Sequence, residues 1–202
     1  QTFSRSSEDK REVVPVTNVI SSAIKMSWHE VRHRAQLVQN FESTREILVE
    51  PSRLSQVVLN LIVNAAHAIE PGRAEQNQIE VRTSDRDDAL AIEVVDTGKG
   101  IPDEIMDQIF DPFFTTKEVG HGTGLGLSIC RNLLDEMGAR LEMDSEVGEG
   151  TTARIVLPLE TFESEEPAID EQSSVDTEQI ASASILLVDD DPAPFEFQSV
   201  DI

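Results

Sequence analysis

Ala89-Leu-Ala-Ile-Glu-Val-Val95, followed by Asp96-Thr-Gly98-Lys-Gly100-Ile-Pro102, decides how this chain is read. The first seven residues are apolar enough to predict a strand at the centre of a sheet. Asp96 ends that strand, and an acid there faces either a pocket or a surface turn. Gly98 and Gly100 then allow a tight turn and close approach of a ligand to the backbone.

Working outward, residues 78–84 read as a partner strand joined through the turn-forming run Asp85-Arg-Asp-Asp88. Upstream of it, Pro51 suits the first position of a helix running to Ile69, with Pro71-Gly72 as its stop. Further upstream, residues 33–40 and 45–50 read as two strands around a turn. A helix over about 18–28, capped by Thr17 or Asn18, follows an edge strand at Val13–Val16. Downstream, a short helix is expected from Pro102 through Phe110, a loop over 111–123, and a helix from Thr123 to Met137 stopped by Gly138. Residues 139–145 and 151–159 close the pattern as a hairpin around Gly148-Glu-Gly150. The result is an α+β fold with three principal helices and a sheet mostly of hairpin-linked strands, not a repeating βαβ chain.

Charge divides the chain. Its net charge is −23, yet residues 160–202 hold 13 Asp and Glu with no Lys or Arg. That stretch reads as an acidic disordered linker over 160–183. An acidic surface repels phosphate backbones, so nucleic acid is not an expected partner. No run of 18 apolar residues appears, so no membrane span or membrane contact is expected of this segment. Cys130 stands alone among apolar residues of a predicted helix, which points to a reducing compartment and an inert core thiol.

Three more segments carry chemistry. On the helix 52–69, Leu54, Val57, Val58, Leu61, Ile62, Ala65 and Ile69 form an apolar face. Arg53, Gln56, Asn60, Asn64 and His67 share the other stripe. Asn is a poor interior helix former, and its amide oxygen can ligate Mg²⁺ or hold its waters. Phe110, Phe113 and Phe114, beside Pro112, predict a loop anchored on the domain, with Lys117 able to reach a phosphate. Gly120, Gly122, Gly124 and Gly126 alternate into a helix start whose free amides can bind an anion. Neither the Gly-x4-Gly-Lys-Ser/Thr loop nor a Gly-x-Gly-x-x-Gly after the first strand is present. The Asp96 carboxylate could accept a hydrogen bond from an adenine amino group. Each segment alone also fits an ordinary surface, but all four in this order do not.

As a set they resemble the catalytic, ATP-binding domain of bacterial sensor histidine kinases. The N box is Asn60–Ala65, the G1 box Asp96–Pro102, the F box Phe110–Lys117 and the G2 box Gly120–Leu127. The resemblance covers about residues 13–159. It implies the Bergerat two-layer α+β sandwich, a mixed sheet of about five strands on three helices. It also implies ATP and Mg²⁺ as cofactors. Asn64, with Asn60 nearby, matches the metal position, and Asp96 matches the acid that reads adenine. Gly98 and Gly100 match the turn beneath the nucleotide. Lys117 and the glycines 120, 122, 124 and 126 match the mobile lid over the phosphates. His67, Ile101, Phe110, Thr123, Leu125 and Thr151 complete the implied contacts. Catalysis would fall to Asn60, Asn64 and Lys117. Related ATPases carry Glu as general base where this chain has Asn60, which suits phosphoryl donation rather than hydrolysis.

The implied activity is transfer of the γ-phosphoryl group to a histidine on the kinase's dimerisation domain, in a cytoplasmic phosphorelay. A receiver domain or response regulator would lie downstream. A docking module that holds nucleotide without transfer, or a hydrolytic ATPase, are the alternatives. His29-Glu30 superficially resembles the acceptor motif but lies too close to the N box. The acceptor hairpin is therefore expected upstream of Gln1, with residues 1–12 as its last turn or a disordered end. Ile185-Leu-Leu-Val-Asp189-Asp190-Asp191-Pro192 resembles the first strand of a receiver domain, cut short within 184–202.

Overall fold

A computed structural model of the protein describes residues 11–117 and 122–159. The expected upstream end before Arg11, the acidic linker and the receiver stub lie outside the described residues. So do Gly120 and His121.

The elements run β1 (Glu12–Pro15), α1 (Val16–Val31), β2 (Gln36–Phe41), β3 (Glu46–Val49), α2 (Pro51–Ala68), β4 (Gln78–Arg86), β5 (Ala89–Asp96), α3 (Asp103–Met106), α4 (Gly126–Glu136), β6 (Arg140–Glu146) and β7 (Gly150–Pro158). Five strands form a mixed sheet in the order β2-β4-β5-β7-β6, and β1 pairs with β3 in a separate two-stranded ribbon. Helices α1, α2 and α4 cover one face, so the two-layer α+β architecture is as expected.

β5 is central, paired with β4 on one side and β7 on the other, and every second side chain of it is buried. Leu90, Ile92 and Val94 are at most 1% exposed. In register they face Leu157, Ile155 and Ala153 of β7 on one side, and Asp85, Thr83 and Val81 of β4 on the other. Onto this face α2 sets Leu54, Val57, Val58, Leu61, Ile62 and Ala65, all buried. Each fully buried Leu or Ile contributes about 1.5–3 kcal/mol, which makes α2 the pin of the core. Its first turn carries Pro51, where the missing N–H costs nothing.

The opposite face of the sheet is a row of charges. Arg82, Glu93, Arg154 and Glu142 stand directly opposite one another on β4, β5, β7 and β6. Glu93 is bound by Arg82 (2.6 Å) and Arg154. Burial works to raise its pKa, but the hydrogen bonds from Arg154 and Arg82 outweigh it and hold the carboxyl below its ordinary value.

Several local expectations shift. The segments 33–40 and 45–50 do not form a hairpin: β2 pairs parallel with β4, and β3 turns away to β1. A parallel pair needs a crossover, here supplied by β3 and α2. Helix α1 starts at Val16, with no side-chain cap from Thr17 or Asn18, because the Val16 amide is held by the Arg45 carbonyl at 2.9 Å. It continues past Trp28, since Ser27 and Val31 prolong the buried stripe. The helix after Pro102 ends at Met106, and turns complete the path to Phe110. α4 starts at Gly126, because Gly124 has φ +66° and cannot continue a helix. Cys130 is buried against the Val57 carbonyl, and burial pushes its thiol up to about 11, as expected of an inert core cysteine.

Candidate nucleotide-binding site

A cavity of about 580 Å³ opens where α2, the turn after β5, the α3 segment and the start of α4 converge. Its size is that of a small-molecule site. Asn64, His67, Lys99, Ile101, Ile109, Phe114, Lys117, Gly122, Thr123, Gly124, Gly126 and Leu127 are among its walls. A narrower cavity of about 80 Å³ adjoins it, sharing Asn64, Ala68, Ile101 and Leu127, and contains Asp96 and Thr151.

Asp96 is placed by the strand it ends. It stands directly opposite Thr151 on β7 and is 6% exposed. Its Oδ1 accepts the Gly98 amide at 2.7 Å. Burial dominates and pushes its pKa up to about 6, although hydrogen bonds from the Gly98 and Thr151 backbone oppose the rise. A buried acid lining a small cavity is suited to a hydrogen-bond donor from a ligand. The turn beyond it is packed too tightly for side chains. A Cβ on Gly98 would lie 2.6 Å from Asp96 Oδ1, and one on Gly100, at φ +69°, 2.1 Å from the Glu146 carbonyl.

At the wider end the groups are cationic or amide. Lys117 Nζ lies 3.4 Å from Asn64 Oδ1 and 3.0 Å from His67 Nδ1. His67 Nε2 in turn meets Glu30 of α1 at 3.2 Å. Burial, then the Lys117 charge, lower the His67 pKa, so the ring is neutral at pH 7. Burial also lowers that of Lys117, helped by Lys99 and Arg34. The first turn of α4 begins beside Asn64: a Cβ on Gly126 would lie 3.7 Å from Asn64 Nδ2. The first-turn amides of an 11-residue helix, Lys99, Lys117 and a neutral His67 thus border the same cavity.

The sequence-derived set is therefore mostly, but not wholly, brought together. Asn64, His67, Asp96, Ile101, Lys117, Gly122, Thr123, Gly124, Gly126 and Thr151 line one cavity or the other. Asn60 lines neither, and its amide instead hydrogen-bonds the Cys130 thiol. Phe110 lies under the Arg131 guanidinium, 5.3 Å from ring centroid to carbon, and Phe114 takes the wall position. Leu125 precedes α4 and holds its first turn through the Ile129 amide, 3.0 Å away. His29 is exposed on α1 and contacts Arg32 at 3.3 Å. Lys99 and Glu30 join the site without belonging to the sequence-derived set. A charge between the two turn glycines was the available signal for Lys99, whereas Glu30 reaches His67 only through tertiary packing.

Comparison with known proteins gives the chain a family. Residues 49–161 match the family described as histidine kinase-, DNA gyrase B-, and HSP90-like ATPase. The sensor kinase CckA of Brucella abortus is 34% identical over 95% of this chain and 22% of its own length. The sensor histidine kinase ZraS of Salmonella typhimurium is 41% identical over 73% of this chain and 31% of its own. The chain thus spans less than a third of either relative. Among solved structures, a mycobacterial sensor histidine kinase, MprB, superposes with a TM-score of 0.64 at 27% identity, covering 74% of this chain and 97% of that one. The matched family, the fold and the four ordered segments around one cavity lead to one statement: the chain belongs to the histidine kinase-, DNA gyrase B- and HSP90-like ATPase family.

Proposed function

We propose that this domain binds Mg-ATP and presents its γ-phosphoryl group to a histidine on the dimerisation domain of a sensor kinase, within a cytoplasmic two-component relay. One observation carries the reading. Asp96 lies buried in the smaller cavity, His67, Lys117 and the α4 N-terminus line the adjoining larger one, and Asn64 lies between, lining both. A base-sized acceptor at one end and an anion-binding cluster at the other suit a nucleoside triphosphate.

Asp96 would accept from the adenine amino group, with Thr151 beside it. The α4 amides and Lys117 would hold the phosphates, and Lys99, Arg34 and His67 would add positive or polar character around them. Asn64 would hold Mg²⁺, which when bound neutralises phosphate charge. A lone amide oxygen fits this ion, which keeps most of its shell as water and phosphate oxygen. Phosphoryl transfer requires positioning and charge neutralisation more than covalent help from the protein. The α2 position one helical turn before Asn64 holds Asn60, so no carboxylate stands there to activate water, and this favours donation over hydrolysis.

Calorimetry tests the pocket: Asn64→Ala and Asp96→Ala should each abolish measurable Mg-ATP binding while the protein melts cooperatively. If both bind ATP like wild type, the pocket is misassigned. Labelled ATP and a separately prepared dimerisation domain then test donation. Label on the acceptor supports it, and phosphate release without acceptor labelling favours a hydrolytic ATPase.

A further inference from the structure

Ser145 on β6 makes three hydrogen-bond contacts with one hydroxyl. Its Oγ accepts the Ile101 amide at 2.8 Å, lies 2.8 Å from the Gly150 carbonyl, and lies 2.9 Å from Thr151 Oγ1. A hydroxyl has one proton and two lone pairs. The Gly150 carbonyl can only accept, so the Ser145 proton goes there. The contact with Thr151 must then run the other way, with Thr151 donating to Ser145. Both lone pairs of Ser145 are filled, by Ile101 and by Thr151.

The consequence reaches the cavity. Thr151 stands opposite Asp96 and lines the same narrow space. Its single proton is committed to Ser145, so toward a ligand it presents only lone pairs. Asp96, when ionised, likewise only accepts. Two acceptors side by side match an exocyclic amino group and oppose a carbonyl oxygen. Adenine carries the amino group at its six-position and guanine carries the carbonyl.

We propose that Ser145 is a specificity-determining positioning residue: by fixing the Thr151 hydroxyl as an acceptor, it makes the cavity select adenine over guanine nucleotides. This rests on the nucleotide reading above. Without Ser145 the Thr151 hydroxyl is free to turn and donate to the guanine carbonyl, while Asp96 accepts from the guanine ring N–H.

The test is the ratio of ATP to GTP affinities, by calorimetry with Mg²⁺ present, for wild type, Ser145→Ala, Ser145→Thr and Thr151→Val, each checked for a cooperative melt. Ser145→Ala should narrow the ratio about tenfold, the worth of one gained or lost hydrogen bond, chiefly by improving GTP. Ser145→Thr, which keeps the hydroxyl, should retain the wild-type ratio. A role only in holding the turn would weaken both nucleotides alike and leave the ratio unmoved. A folded Ser145→Ala protein with the wild-type ratio overturns the proposal. Should that variant fail to fold, Thr151→Val decides, since loss of the acceptor should narrow the ratio from the ATP side and an unchanged ratio overturns the idea. Wild type binding ATP and GTP equally sinks this inference alone. Wild type binding neither sinks the nucleotide reading beneath it.

Discussion

The Lys117 ammonium rests 3.4 Å from Asn64 Oδ1, the oxygen assigned to Mg²⁺. A cation of the chain's own thus sits beside that oxygen, and it also contacts His67 at 3.0 Å. Phosphates arriving with Mg²⁺ would draw Lys117 off Asn64 and onto an anion, leaving the amide for the metal. Lys117→Met should therefore weaken Mg-ATP binding about tenfold, the range of a charge-assisted hydrogen bond. Binding of adenosine, which has no phosphate, should be unchanged. Calorimetric titration with both ligands checks this, and equal losses for the two would place Lys117 away from the phosphates.

Asp96 couples function to stability. Its ordinary pKa is 3.8, and burial raises it to about 6 in the folded protein. Between those values the folded state holds a proton the unfolded state has lost. The stabilising contribution of that proton is complete below pH 3.8 and is lost as pH rises through about 6. Ionised Asp96 thus costs the nucleotide-free domain about 2–3 kcal/mol at pH 7. Asp96→Asn should melt several degrees higher than wild type at pH 7.5, with the gain shrinking toward pH 4, while losing ATP affinity. Melting curves across this pH range check it, and a variant less stable than wild type at pH 7.5 contradicts it.

The turn after β5 and the β6–β7 turn set two glycines in contrast. Gly100 and Gly148 both have positive φ, +69° and +87°. A Cβ on Gly100 would meet the Glu146 carbonyl at 2.1 Å, whereas nothing lies within 4 Å of one on Gly148. Gly148→Ala should cost only the backbone strain, about 1 kcal/mol. Gly100→Ala must also push the β6–β7 hairpin away from the turn, and should cost about 3 kcal/mol or more. Chemical denaturation of the two variants gives the comparison, and equal losses would refute the crowding argument.

Where the sequence was legible, the signal was local. The helix over 51–69 and the strand 89–96 declare themselves through periodicity and punctuation, and their structural bounds, Pro51–Ala68 and Ala89–Asp96, follow closely. Much of the candidate site was legible because Asn64, His67 and Asp96 fall in short runs toward the ends of those elements. What stayed hidden depends on distant pairing. Nothing in Gln36–Phe41 indicates that it pairs with Gln78–Thr83 rather than with its neighbour Glu46–Val49, since both choices satisfy the same alternation. Ser145 reads as one more polar residue in a strand until β7 and the Ile101 turn are folded against it. Asn60 shows the converse limit, because its helical spacing from Asn64 is right, yet its amide turns to Cys130.

His67 and Asp96 should exchange protons in opposite directions when ATP binds. Burial and Lys117 hold the His67 pKa below its ordinary value, so the ring is neutral in the free domain near pH 7. A triphosphate beside it would favour the charged form and raise that pKa, so binding takes up a proton. Asp96, with a pKa of about 6 in the free domain, would be lowered by an amino donor, so near pH 6 binding releases one. Repeating the ATP titration in buffers of different ionisation enthalpy measures the net. His67→Asn should shift the balance near pH 7 toward release, since its uptake is gone. At pH 6 wild type should exchange less than the larger contribution alone, because the two oppose each other. If His67→Asn leaves proton exchange at pH 7 identical to wild type, the phosphates lie away from His67, and the anion end of the cavity must be sought nearer the α4 amides.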